Sequence, residues 1–118
     1  IQPTFVTHYP LEVSPLSRKN EKDPFVVDRF DFFVYGREMA NAFSELNDPK
    51  DQCERFQAQV DSKKAGNDEA SDMDSDYIEA LEYGMPQVCG FGISERLFSF
   101  LMDKPARETQ IFPLMKPK

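Results

Sequence analysis

Polar and apolar positions divide the chain into alternating and helical stretches. From Arg29 to Tyr35, Phe30, Phe32 and Val34 share one face while Arg29, Asp31, Phe33 and Tyr35 share the other. A period of two is the strand signature, and apolar residues on both sides predict a strand at least partly covered on each face. Tyr35-Gly36 is a turn signal. The next stretch supports two readings. Glu38, Asn41 and Glu45 fall at i, i+3 and i+7, as one face of a helix does, and helix propensity favours that reading. Asn41, Phe43 and Glu45 also alternate, as one face of a strand does. Upstream, Phe5-Val6-Thr7 reads as a short strand and His8-Tyr9-Pro10 as a turn. Ser14-Pro15 stays extended, because proline disfavours helix at the residue before it. Ser17 to Pro24 reads as a polar, basic loop with Arg18 and Lys19 in solvent.

Downstream the period lengthens. Asp48-Pro49 is a helix start, a capping acid followed by proline in the first turn. Cys53, Phe56 and Val60 give it an apolar stripe, and Gly66 is its stop. The acidic, small residues from Asn67 to Asp76 read as a flexible surface loop. A second helix starts at Ser75 or Asp76 and runs through Tyr83, burying Tyr77, Ile78 and Leu81, with Tyr83 at the margin; Gly84 and Pro86 end it. Gly90-Phe91-Gly92 leads into a third helix, roughly Ser94 to Met102, with Leu97, Phe98, Leu101 and Met102 inward. Pro105 ends it, and Ile111-Phe112-Pro113 packs as a short tail. The order of strands and helices predicts an α+β fold, an antiparallel β-sheet with flanking helices, rather than β-α-β units.

Composition narrows this. At 118 residues the chain is at most one domain, and 40% hydrophobic residues with 11 Phe suffice for a core. A net charge of −7 argues against nucleic-acid binding by this segment acting alone, since phosphate contacts need Lys and Arg in excess. No apolar run nears the length of a membrane span, and no signal peptide is read at Ile1, where the chain opens without an initiator Met. Cys53 and Cys89 lack the His partners of a zinc site and read as reduced, partly buried thiols. His8 reads as a surface or turn residue.

Three acids, Asp31, Glu38 and Glu45, and one amide, Asn41, sit in the greasiest part of the chain. Burying an unpaired carboxylate is costly, so such acids meet a cation, a metal or a donor. Two readings stand: an amphipathic element with its acids in water, or a pocket for something positive.

Almost the whole chain resembles the catalytic core of class II lysyl-tRNA synthetases. The resemblance runs through Pro3-Thr4-Phe5-Val6-Thr7, Val13-Ser14-Pro15-Leu16, Gly36-Arg37-Glu38, Asn41-Ala42-Phe43-Ser44-Glu45-Leu46-Asn47-Asp48 and Ala80-Leu81-Glu82-Tyr83-Gly84. It continues in a motif-three-like Gly90-Phe91-Gly92 with Glu95-Arg96, and in Phe112-Pro113 with Met115-Lys116-Pro117. The run from Glu38 to Asp48 carries the lysine signature; the glycine-and-arginine motif is specific only to the class. The resemblance implies two antiparallel strands joined at Gly36, with a bulge or twist between Glu38 and Asn41 because their parity differs.

The resemblance also implies a chemistry, joining the carboxylate of lysine to the α-phosphate of ATP and passing the lysyl group to tRNA(Lys). Asp31 and Glu38 are the implied Mg2+ carboxylates; the alternative for such an acid is pairing with Arg29 or Arg37. Arg96 is the implied catalytic arginine on the ATP γ-phosphate, with Gly90 and Gly92 beside adenine. Asn41, Phe43 and Glu45 line the implied lysine pocket, Glu45 taking the ammonium and Phe43 covering the stem. Glu82 and Tyr83 lie in a matching segment with no direct role. Two positions depart from the family pattern: Asp31 stands where Glu is usual, and the motif from Gly90 to Arg96 is one residue short and lacks its third glycine.

Motifs one and two and the anticodon-binding domain are not found in these residues. The resemblance therefore implies that 1–118 is the C-terminal portion of a synthetase catalytic domain, inactive by itself. It belongs to a cytoplasmic enzyme that is a homodimer at full length, with no membrane association. Two other readings carry less of the sequence: a paralogue that attaches a lysine-type amino acid to a protein such as an elongation factor, and a non-catalytic interaction module built from synthetase parts.

Overall fold

A computed structural model describes residues 2–114. Ile1 and the Met115-Lys116-Pro117 part of the resemblance lie outside the described residues. The centre is an antiparallel sheet in the order β1 (Thr4–Thr7), β2 (Arg29–Val34), β3 (Arg37–Ser44) and β4 (Cys89–Ile93). The fold is α+β, as expected. Tyr35 and Gly36 join β2 to β3 with φ of 52° and 71°. Two successive left-handed residues are what a tight hairpin requires, because their twist matches that of the strands. The Tyr35 ring packs on Phe100 with centroids 5.3 Å apart.

The helical reading of Glu38, Asn41 and Glu45 is overturned. β3 lies between β2 and β4, so its backbone groups find partners on both sides. Helix propensity differs by only a few tenths of a kcal/mol per residue and cannot compete with a full ladder. The register slips at one place: Asp31 faces Asn41 and Phe32 faces Ala40, but Phe33 faces Glu38. Met39 is the extra residue, buried and without a partner in the ladder. This is the bulge that the parity of Glu38 demanded.

Residues 8–28 cross from β1 to β2 through a 3-10 turn at Leu11–Val13 that the sequence pattern did not show. Ser17 to Pro24 is largely exposed, as expected of a polar loop, but it is anchored at its start. Ser17 is buried, Lys19 pairs with Asp51 at 3.2 Å, and Arg18 pairs with Glu21 at 3.3 Å. The Arg18 backbone N–H also donates to the Ser44 carbonyl at 2.8 Å.

Helix α1 (Pro49–Lys64) is capped by Asp48, whose side chain accepts from the N–H groups of Lys50 and Asp51. Its buried side is Gln52, Arg55 and Phe56, not a purely apolar stripe; Cys53 faces solvent. Helix α2 (Ser75–Glu82) is capped by Asp74 and buries Leu81, with Tyr77 edge-on to Phe56 at 5.9 Å and Tyr83 exposed. The loop between them is pinned by buried Ala70 and by a Lys63–Asp72 pair at 2.7 Å.

Helix α3 (Glu95–Leu101) is capped by Ser94 and followed by a short α4 (Ala106–Thr109) that the sequence did not announce. The inward face expected of α3 is a correction: Phe98, Leu101 and Met102 are exposed, and Ser99 is the buried residue. Ile111 and Phe112 are also exposed rather than packed, and both cysteines are exposed rather than partly buried. The physical reason is common to all of these: among the described residues nothing lies over those side chains. The radius of gyration, 17.4 Å, agrees; a closed domain of this length would have about 13–14 Å.

Candidate functional site

Residues directly opposed across an antiparallel ladder project to the same side. One side of the sheet therefore carries the row Asp31, Asn41, Gly92 and the row Arg29, Phe43, Gly90. The bulge at Met39 brings Glu38 onto this side as well, opposite Phe33. Glu45 lies one step past β3 and stays extended, because its N–H donates to the Val88 carbonyl at 3.0 Å and it bridges to Ser17.

The two glycines make room for these side chains. A Cβ built on Gly90 would overlap Glu45 Oε1, so the carboxylate lies across the bare backbone of β4. A Cβ on Gly92 would stand 3.5 Å from Asn41 Oδ1, an ordinary contact. The structure thus gathers Glu38, Asn41, Phe43, Glu45, Gly90 and Gly92 on one face. A cleft of about 240 Å³ opens there, lined by Glu38, Met39, Asn41, Gly92 and Ser94. A second, of about 300 Å³, is lined by Arg18, Ser44, Glu45, Gln87, Val88 and Cys89.

The acids differ in their surroundings. Burial pushes the Glu45 carboxyl above its usual range, and among the described residues no cation pairs with it. The Tyr77 phenol of α2 is pushed up by burial and then by the Glu45 charge. Glu38 is exposed, and its Oε1 accepts from Asn41 Nδ2 at 2.9 Å.

Asp31 is 3% exposed and gripped by the Arg29 fork, Nε to Oδ1 at 2.9 Å and Nη2 to Oδ2 at 2.8 Å. Arg29 also donates to Ser14 Oγ at 3.2 Å and lies 4.4 Å from the centre of the Tyr9 ring. Burial and the Asp31 carboxylate push the Tyr9 phenol up, and the bond to Asp31 pushes the Arg29 guanidinium up. Pairing with Arg29, the alternative weighed for Asp31, is thus realised. Among the described residues no group of three or more His, Cys, Asp or Glu forms a self-sufficient metal cage. Magnesium is commonly held by one or two carboxylates with its other ligands drawn from phosphates and water. Glu38 is exposed with one oxygen free of partners among the described residues, whereas Asp31 is buried between the Arg29 fork and the Tyr9 hydroxyl.

Ser94 is the single residue between β4 and α3; its N–H donates to the Met39 carbonyl at 2.8 Å and its Oγ accepts from the Arg96 N–H at 3.2 Å. Arg96 therefore sits in the first turn of α3, close in sequence to the smaller cleft, exposed and without an ion pair among the described residues. The short motif has this structural correlate: strand and helix meet with one residue between them.

Sequence reasoning missed the support behind these groups. Arg55 is 8% exposed and donates to the carbonyls of Ser17 and Ser14 at 2.6 and 3.4 Å. Gln52, fully buried, donates to the Pro15 carbonyl at 3.0 Å. The available signal was Asp51 four residues before Arg55, the spacing of a helical ion pair.

An antiparallel sheet of four strands with flanking helices is the architecture of a class II tRNA synthetase domain. The chain belongs to the family of tRNA synthetases class II (D, K and N), matched over residues 1–116. It is 60% identical over 119 residues to a lysine–tRNA ligase of Hahella chejuensis, covering 99% of this chain and 24% of that protein. Lysine–tRNA ligases of Thioalkalivibrio sulfidiphilus and Staphylococcus haemolyticus are each 58% identical, over 98% and 100% of this chain and 24% of their own lengths. The chain spans about a quarter of the length of the curated relatives it matches.

Proposed function

We propose that this chain is the C-terminal portion of the catalytic domain of a cytoplasmic lysyl-tRNA synthetase, supplying the lysine pocket, the magnesium carboxylates and the motif-three arginine. The observation that carries the reading is Glu45: a half-buried carboxylate without an ion pair among the described residues, laid over Gly90 on the same face as Asn41 and Phe43. A lysine ε-ammonium is the cation that offsets its desolvation, and the aliphatic stem lies against Phe43.

In the reaction the lysine carboxylate attacks the α-phosphate of ATP and pyrophosphate leaves. Arg96 holds the γ-phosphate and neutralises charge on the leaving group. Glu38 and Asp31 would hold Mg2+, which when bound would screen the phosphates so that two anions can approach. The Arg29 fork fixes the direction of Asp31, and Asn41 fixes that of Glu38. The activated lysine then passes to tRNA(Lys), bound by the full-length homodimer and not by this acidic segment alone.

The test is lysine-dependent exchange of pyrophosphate into ATP by a full-length protein carrying this segment. The wild type exchanges with lysine and not with arginine or ornithine. Arg96→Ala lowers exchange about 10- to 1000-fold and leaves the melting temperature in place, since the guanidinium has no partner to lose. Exchange without a requirement for lysine, or within twofold of wild type for Arg96→Ala, refutes the reading.

A further inference from the structure

We infer that Arg55 is a positioning residue for the acidic site, chiefly for Glu45, acting from α1 through the Ser14–Ser17 segment. The inference rests on the proposed lysine pocket and adds what holds it in place. Arg55 touches neither Glu45 nor Asp31. Its Nη1 donates to the Ser17 and Ser14 carbonyls at 2.6 and 3.4 Å, while Nε and Nη2 are fixed by Asp51 at 2.9 and 3.0 Å. Gln52 holds the intervening Pro15 carbonyl from the same helix face. Contacts at Ser14, Pro15 and Ser17 thus fasten one segment to α1.

That segment touches both acid positions. Toward Glu45, Ser17 bridges to it, the Arg18 N–H donates to the Ser44 carbonyl at 2.8 Å, and the Leu46 N–H donates to the Leu16 carbonyl at 2.9 Å. Toward Asp31, Ser14 Oγ accepts from the Arg29 guanidinium that grips the Asp31 carboxylate. Ser14 and Ser17 are each 2% exposed, so water does not substitute easily for a lost partner. Glu45 is past the last regular pair of β3, so its side-chain direction depends on these backbone bonds as well as on Val88.

Arginine is suited to this task. Its planar fork meets Asp51 on one edge and still presents a nitrogen to two carbonyls, which a lysine ammonium cannot do from one geometry.

The test compares Arg55→Met and Arg55→Lys with wild type in a full-length protein. The readouts are lysine-dependent pyrophosphate exchange and amide hydrogen exchange at Arg18 and Leu46. Below its melting transition, Arg55→Met raises the lysine KM roughly 3- to 10-fold, a partial loss of the Glu45 contact at 1.4 kcal/mol per factor of ten. The ATP KM stays within about twofold, because Asp31 keeps both of its direct bonds to Arg29, and the Arg18 and Leu46 amides exchange faster. Arg55→Lys recovers part of both effects, and it carries the test if Arg55→Met does not fold. A folded variant with an unchanged lysine KM, or with equal damage to both substrates, overturns the inference while leaving the lysine reading standing. A wild type without lysine-dependent exchange overturns both.

Discussion

Replacing Glu45 with Gln is the sharpest probe of the site, because the structure fixes what else changes. The amide occupies the same volume, so the fit across Gly90 is kept and only the charge is removed. A hydrogen bond to a charged group is worth about 1.5–3 kcal/mol against 0.5–1.5 for a neutral one, and the half-exposed setting argues for the lower end of the difference. A loss of about 1–2 kcal/mol corresponds to a rise in the lysine KM of roughly 5- to 30-fold, at 1.4 kcal/mol per factor of ten. The ATP Kd measured without lysine stays unchanged. The sign of the stability effect is also determined. Burial raises the folded-state pKa of Glu45, so its ionised form costs stability above that pKa and the cost is relieved as pH falls through it. Glu45→Gln therefore melts at the same or a higher temperature at neutral pH. As pH falls toward the raised pKa, wild-type lysine affinity declines through protonation of Glu45; in Glu45→Gln that contribution disappears. Steady-state kinetics at several pH values and one melting curve check all of this. A solvated Glu45 predicts no change in either substrate, and a structural one predicts a lower melting temperature with equal losses for both. Either outcome would sink the argument.

Gly90→Ala places a methyl group where Glu45 Oε1 lies; because a flexible side chain yields cheaply, melting changes little while the lysine KM rises as in Glu45→Gln, and a defect confined to ATP would assign Gly90 to the nucleotide instead. Glu38→Ala raises the Mg2+ concentration needed for half-maximal exchange without altering the melting curve. Asp31→Ala shares the Mg2+ effect but also lowers the melting temperature, since it strands the Arg29 guanidinium; an unchanged Mg2+ requirement in both would make them purely structural acids. The 118-residue segment by itself self-associates or melts without cooperativity, because β1 and β4 are open sheet edges and Phe5, Phe91 and Ile93 are exposed; a monodisperse monomer with a sharp calorimetric transition would contradict this.

Local features were legible in the sequence and non-local ones were not. The Asp48-Pro49 cap, the Tyr35-Gly36 turn and the stop at Gly66 depend on a few neighbouring residues, and each stands where the residues put it. Asn41 and Glu45 fitted both periodicities, with Glu38 on the helical face and Phe43 on the strand face; the resemblance selected the strand, and the ladder to β2 and β4 bears that out. The apolar residues of α3 face solvent because a pattern records amphipathicity, not whether something covers the apolar side. The pairing of Asp31 with Arg29 was visible as a possibility, since strand residues two apart share a face. The link from α1 to Ser14 and Ser17 spans some forty residues of chain, and no local rule connects them.

The unpaired Met39 has a consequence for how this strand tolerates change. On its C-terminal side Asn41, Phe43 and Glu45 keep one phase; on its N-terminal side Glu38 keeps the other, and the two agree only because one residue is inserted between them. Loss of a single codon there would turn Glu38 to the far side of the sheet while Asn41, Phe43 and Glu45 kept their places. Substitutions can wear away either half of the strand gradually, but a length change separates them at a stroke. For this hairpin, spacing is as much a part of the inherited message as residue identity.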